Sequence, residues 1–301
     1  MGIAMFLVLA FHYSLHYGMM DSPLVVRGDI GVDLFIFLSG FGCFYSLSKK
    51  NWLQFYKARI KRIYPTFILV IILTLITNGI LFKEWPNAHQ CVISLSGFSY
   101  FINGNLETWY ISAILILYCI SPLLFHYSKL KFLIWICILP YAIPVITFPM
   151  GCNWLDIMSF RIPSFIWGFI VGKISCSREV VINKKIILTI LFMVVIGGVC
   201  LLMYYTFKSM QHNHLRYNIY PALTLAILFI CRKLPKSTVL DFLGKYSLEI
   251  YLVHQPILKY FDFIKNIPLF LLTTTISLCI ISVLIHKTII NLLPKAICNI
   301  K

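Results

Sequence analysis

Two histidines one helical turn apart, His12 and His16, interrupt an otherwise apolar run at the start of this chain. Histidine titrates near neutral pH, so in such a place it is suited to taking a proton from a hydroxyl group. At about 1.5 Å per residue, His12 lies roughly 16 Å along that run, and His16 shares its helical face. Two plainer readings compete. In one, His12 serves only to hydrogen-bond a neighbouring helix; in the other the pair binds zinc, for which no third ligand is in register. Asp33 stands in Gly31-Val32-Asp33-Leu34-Phe35-Ile36-Phe37-Leu38-Ser39-Gly40-Phe41, near the start of the second apolar run. A carboxylate beside an imidazole fixes its tautomer and favours the protonated ring, so Asp33 is a candidate to orient His12; the alternative is an aspartate that caps a helix or pins a loop. Ser39 and Gly40 are small enough for close helix approach, which makes packing their default role.

Ionisable groups in later apolar runs are few. Arg161 and Glu249 are expected to be buried, either lining a polar cavity or simply pairing with one another across two helices. His254 lies in Tyr246-Ser247-Leu248-Glu249-Ile250-Tyr251-Leu252-Val253-His254-Gln255-Pro256, where Tyr251 and His254 share a face at i, i+3. A second intramembrane histidine beside a tyrosine reads as part of a polar cavity. Trp109, Tyr110 and Tyr118 fit an aromatic belt or a core as readily as a site.

The elements that must hold these groups are transmembrane helices. Of 301 residues, 60% are hydrophobic and 12% charged, with a mean hydropathy of +0.87, far from a soluble domain. Apolar runs near 1–17, 30–48, 64–82, 108–127, 132–148, 157–172, 186–206, 217–231, 246–261 and 268–286 are each of about the length that crosses a bilayer. The expectation is an all-α polytopic membrane protein of about ten helices, forming one membrane domain over residues 1–301. The formal charge of +16 reflects topology rather than nucleic-acid binding, because the basic residues gather in alternate connections. Nineteen fall on one side, including Lys49 to Arg62, Lys173 to Lys185 and Arg232 to Lys245, against six on the other. By the positive-inside rule the richer side is cytoplasmic, which places both termini there.

The connections differ in chemistry. Lys49 to Pro65 alternates basic and aromatic residues, with Lys57, Lys61 and Tyr64 spaced along one helical face, a pattern suited to a lipid interface or an anion. Lys83 to Glu107 has loop composition, with Trp85-Pro86-Asn87 and Asn103-Gly104-Asn105, and offers a rim for an external acceptor. Pro122, Pro140, Pro144, Pro163, Pro221 and Pro256 fall inside spans, where each frees carbonyls and points to broken helices around a cavity. The ten cysteines show no Cys-x-x-Cys pair, and no metal site is expected; Cys91 and Cys152 fall in outside connections where a disulfide is open to them. The first run lacks a charged leader and a small-residue cleavage site, so it reads as a retained helix.

In this order the segments resemble the acyltransferase 3 family of bacterial membrane acyltransferases over nearly the full length. Gly2 to His12 is similar to the family's first helix, Gly31 to Phe41 to its Gly-Val-Asp-Leu-Phe-Phe-x-Leu-Ser-Gly-Phe segment, and Phe55 to Pro65 to its basic motif ending in Arg-Ile-x-Pro. Tyr246 to Pro256 is similar to its Ser-x-x-Ile-Tyr-Leu-x-His segment, and Trp109 to Leu124 to its Trp-Tyr…Leu-Tyr…Ser-Pro-Leu-Leu helix. The family's first-helix arginine, expected to assist donor binding, falls by spacing on Met1; either a longer natural chain supplies it, which is the favoured expectation, or this protein lacks it and is impaired.

The resemblance implies transfer of an acyl group, typically acetyl, from cytoplasmic acyl-CoA to a hydroxyl of a cell-envelope polysaccharide or lipid-linked sugar, in the bacterial plasma membrane. It implies that His12 is the catalytic histidine; its expected role is that of base, directly or through an acyl relay, with Asp33 orienting it. Arg59, Lys61 and Arg62 match the polyanionic CoA donor in charge and side. Ser39, Trp109, Tyr118, Arg161, Glu249, Tyr251 and His254 complete the expected cavity. The partners implied are membrane lipid, acetyl-CoA and a glycan acceptor, with no metal and no nucleic acid. Two rivals stand beside this reading. One is a transporter or polysaccharide export protein whose buried polar groups line a pathway; the other is a structural membrane partner that binds anionic lipid.

Overall fold

The computed structural model describes residues 1–18, 28–129, 132, 133, 136, 155–176, 220–231 and 233–292. Every regular element among them is a helix: α1 (Gly2–His16), α2 (Ile30–Leu47), α3 (Trp52–Phe82), α4 (Ala88–Ser96), α5 (Ser99–Asn103), α6 (Trp109–His126), α7 (Leu155–Ser159), α8 (Ile162–Cys176), α9 (Tyr220–Cys231), α10 (Thr238–Lys245), α11 (Ser247–Tyr260) and α12 (Ile267–Leu292). Among the described residues, five stretches are long and apolar enough to cross a membrane: α2, α3, α6, residues Ile157–Cys176 and α12. The chain is therefore a multi-pass membrane protein. Helix α1 is apolar but shorter. The expected span near 186–206 and most of that near 132–148 lie outside the described residues, as do Pro140, Pro144 and Cys152.

Three sequence expectations are corrected. The segment Lys83 to Glu107 contains two short helices rather than a continuous loop. Asn87 caps α4 with a reciprocal box, its side chain accepting from the Gln90 backbone N–H at 2.8 Å while Gln90 returns the bond at 2.9 Å. Gly97 and Gly104 close α4 and α5 in the left-handed region, at φ 78° and 72°, where glycine carries no Cβ penalty. Second, the basic segment is not separate from the span that follows it. It forms the first turns of α3, which runs unbroken from Trp52 through Pro65 to Phe82. The stretch Ile63 to Phe82 carries no charge and by itself spans about 30 Å, so Lys57, Arg59, Lys61 and Arg62 fall beyond the hydrocarbon at one end. Third, Pro163 and Pro221 are the second residues of α8 and α9, where no intrahelical donor is needed, so they start helices rather than break them. Pro122 and Pro256 do sit inside α6 and α11.

The described residues group into two compact units, Met1–Gly31 with Tyr56–Ser112 and Lys236–Lys301, and Val32–Phe55 with Ala113–Pro235. In the first, α1 packs on α10 and α11, and α11 on α12. Gly2 lets the start of α1 lie directly on the Leu240 backbone. Tyr13 ties α1 to α12 by donating to Thr274 at 2.9 Å. Near the middle of α3, Tyr64 donates to the Ser96 carbonyl at 2.8 Å, and Ser112 of α6 donates to that of Gly97 at 2.7 Å.

In the second unit α2 and α8 meet through glycines. A Cβ on Gly40 would strike the Phe165 carbonyl, and one on Gly168 the Phe37 carbonyl. Gly168-Phe169-Ile170-Val171-Gly172 is a small-xxx-small stripe, which permits such an approach in lipid, where dispersion and not the hydrophobic effect holds helices together. Alanine is the better helix former by up to about 1 kcal/mol. Because backbone has to move, Gly168→Ala should nevertheless destabilise by roughly 1–3 kcal/mol. At Gly172 a Cβ meets its neighbours at 3.0 Å, and Gly172→Ala should cost less. Melting midpoints of the two purified variants in detergent check this; equal midpoints would mean that the close approach at Gly168 does not set stability.

Candidate functional site

The predicted residues separate into three groups. The first lies between α1 and α11. Helix α11 buries Ile250, Val253, His254, Ile257 and Leu258, the i, i+3, i+4, i+7, i+8 pattern of a core-facing helix, with Glu249 and Tyr251 buried beside them. This periodicity turns His254 inward, where it is 2% exposed. Its ring centroid stands 4.7 Å from that of the half-buried His12, with the planes inclined at 62°. Nδ1 of His254 lies 2.5 Å from the Tyr251 carbonyl oxygen. A carbonyl only accepts, so Nδ1 carries the hydrogen, and in the neutral ring Nε2 keeps its lone pair. Among the described residues that Nε2 is buried without a hydrogen-bond partner. The Tyr251 ring packs against His254 at 5.4 Å, and Tyr110 against Tyr251 at 4.8 Å, which extends the cluster towards the start of α6. Trp109 is half-buried with its ring edge towards Tyr110.

His16, one turn beyond His12, takes a different direction. Its Nε2 lies 3.3 Å from Asp262 and its ring stacks on Phe270 at 4.8 Å. The two histidines of α1 thus have separate neighbours, and no group of three His, Cys, Asp or Glu suited to a metal forms among the described residues.

The second group is a buried ion pair. Asp33, in the first turn of α2, is wholly enclosed; one carboxylate oxygen takes the Arg161 guanidinium and the other the Ser164 hydroxyl at 2.6 Å. Arg161 occupies the turn between α7 and α8, and Ser164 follows one helical turn later, so both reach one carboxylate. Tyr220 lies against the guanidinium, 5.4 Å from its ring centre. Pairing with Glu249 was one of two readings of Arg161, and each of the two residues has a different partner here. Glu249 instead meets His286 of α12, Nδ1 to Oε1 at 2.7 Å. Asp33 was also expected to orient His12; the partners the structure gives it are Arg161 and Ser164, while the ring set against His12 from another helix is that of His254. Ser39 is half-buried and Tyr118 buried against Phe55 at 6.3 Å, so Tyr118 belongs to a core.

The third group is Arg59, Lys61 and Arg62 on the charged turns of α3, with Arg62 and Lys57 exposed and the other two half-buried. His286 and Ser164 were missed from sequence. His286 had a visible signal, an ionisable side chain at the end of an apolar run; Ser164 had none, because a serine in an apolar helix is ordinary.

A family model described as "Acyltransferase domain", that of the acyltransferase 3 family, matches residues 2–287. No curated protein and no solved structure matches the chain.

Proposed function

Since the chain belongs to the acyltransferase 3 family, we propose that it moves an acetyl group from cytoplasmic acetyl-CoA to a hydroxyl of a cell-envelope polysaccharide or lipid-linked sugar at the bacterial plasma membrane. The single observation that carries the chemistry is the pair His12 and His254, two imidazoles face to edge within helices of a membrane protein. A lone intramembrane histidine fits a structural hydrogen bond. Two in ring contact, one of them with an unengaged nitrogen, fit proton transfer. In this reading His12 takes the acceptor hydroxyl's proton as its oxygen attacks the thioester carbonyl. The C–S bond then breaks, and the proton passes to the departing CoA thiolate. Arg59, Lys61 and Arg62 hold the donor's phosphates, and Asp33 acts through Arg161 by keeping that side chain in place. Ten spans with both termini in the cytoplasm complete the proposal.

The test separates covalent transfer from transport. Membranes containing the chain, supplied with acetyl-CoA labelled in the acetyl group, should yield labelled envelope glycan and free CoA; a transporter or lipid-binding partner would release no CoA. The basic turns make a second prediction. Reversing charge in Arg59→Glu/Arg62→Glu removes two cationic contacts to phosphate and should raise the KM for acetyl-CoA by about 10- to 100-fold, with kcat much less affected. An unaltered KM would exclude these residues from donor binding.

A further inference from the structure

Resting on the reading that His12 is the base, we propose that His254 is its positioning residue: the Nε2 lone pair of His254 accepts the N–H of the His12 ring nitrogen that does not face the substrate. Three observations support this. The Tyr251 carbonyl holds the hydrogen on Nδ1 of His254, so Nε2 is available only as an acceptor. That atom is buried with no partner among the described residues, and a buried polar atom left unmade is costly. The ring set against it is His12, with centroids 4.7 Å apart.

The arrangement parallels a nucleophile–base–carboxylate triad, with a neutral imidazole in the third place. As His12 takes the hydroxyl proton on one nitrogen, its other N–H becomes the stronger donor, and His254 stabilises the cation through that bond. When the proton leaves with the CoA thiolate, both rings return to their starting forms and no proton is gained or lost. The supports are rigid. The Tyr13–Thr274 bond fixes α1 one residue from His12, and the Tyr251 and Tyr110 rings pack behind His254.

The experiment uses the purified full-length chain, acetyl-CoA as donor and water as acceptor, with release of free CoA as the readout. His254→Phe keeps the bulk and loses both nitrogens. It should lower kcat on the order of 10²-fold with the KM for acetyl-CoA unchanged. Two further variants divide the ring. His254→Asn keeps a donor near the Tyr251 carbonyl but cannot reach the Nε2 position, and should be as slow as His254→Phe. His254→Gln places a carbonyl oxygen near that position and should recover at least 5-fold over His254→Asn. A purely structural role predicts the opposite order, with His254→Asn the faster, and that result overturns the proposal; so does a His254→Phe chain with the wild-type kcat. Melting midpoints in detergent identify a variant that fails to fold, for which the Asn–Gln comparison decides. Turnover absent from the wild type, or retained in His12→Ala, sinks the underlying reading and this inference with it. Turnover lost in His12→Ala but kept in His254→Phe overturns the positioning role alone.

Discussion

His12→Ala should abolish acetyl transfer while leaving the protein at its normal level in the membrane. Removing a general base from the reacting centre typically costs about 10² to 10⁴ in rate, which would place labelled product near background. The chain should still fold, because His12 is only half-buried and α1 packs along both α10 and α11. That helix is seated by Gly2 on α10 and by the Tyr13–Thr274 bond, neither of which involves His12. A folded His12→Ala protein with full transfer would end the catalytic assignment. Exchange of the other α1 histidine, His16→Ala, is the internal comparison: its neighbours are Asp262 and Phe270, and its loss should slow transfer far less.

The second large effect is on stability. Arg161→Leu leaves the Asp33 carboxylate enclosed without its cation, and breaking a buried pair from one side costs roughly 3–5 kcal/mol. A loss of that size should lower the amount of protein recovered from membranes and its melting midpoint in detergent. Removing both charges is milder, since no unpaired charge is then left buried. Asp33→Asn/Arg161→Leu should therefore melt above Arg161→Leu alone. If the single variant melts with the wild type, the pair is not a structural anchor. If the double variant is stable but inactive, Asp33 or Arg161 also serves the reaction.

What the sequence made legible follows from what a local pattern contains. Unbroken apolar runs announced α2 and α6 with bounds within a residue of those observed, and α12 with its end six residues short, because a helix in lipid is defined by length and hydropathy. His12, Tyr251 and His254 were legible for the complementary reason, as polar groups where polarity is costly. Partners were not. Nothing local to Arg161 says that it meets Asp33 across 128 positions rather than Glu249, since pairing depends on which helix faces which. Hydrogen-bonding detail was equally hidden: Asn87 and Gln90 read as loop residues, yet their reciprocal bonds start a helix. Proline was over-read, because Pro163 and Pro221 differ from Pro256 only in their distance from a helix start.

The enclosure of Asp33 also has a consequence for the order of synthesis. Its partners are made long after it: at about 5–20 residues per second, the 128 positions to Arg161 take a ribosome roughly 6–26 s. Throughout that interval the nascent α2 carries an acidic group whose cation does not yet exist. Its glycine face is incomplete as well, since the matching stripe on α8 is translated later still. Until α8 emerges, a protonated, neutral carboxyl, shelter in the insertion machinery or a place at the wet edge of the bilayer spares the newborn helix a buried lone charge. A chain stalled before Arg161 is thus a natural substrate for membrane quality control, whereas one stalled beyond Gly172 already has the residues that close the seam.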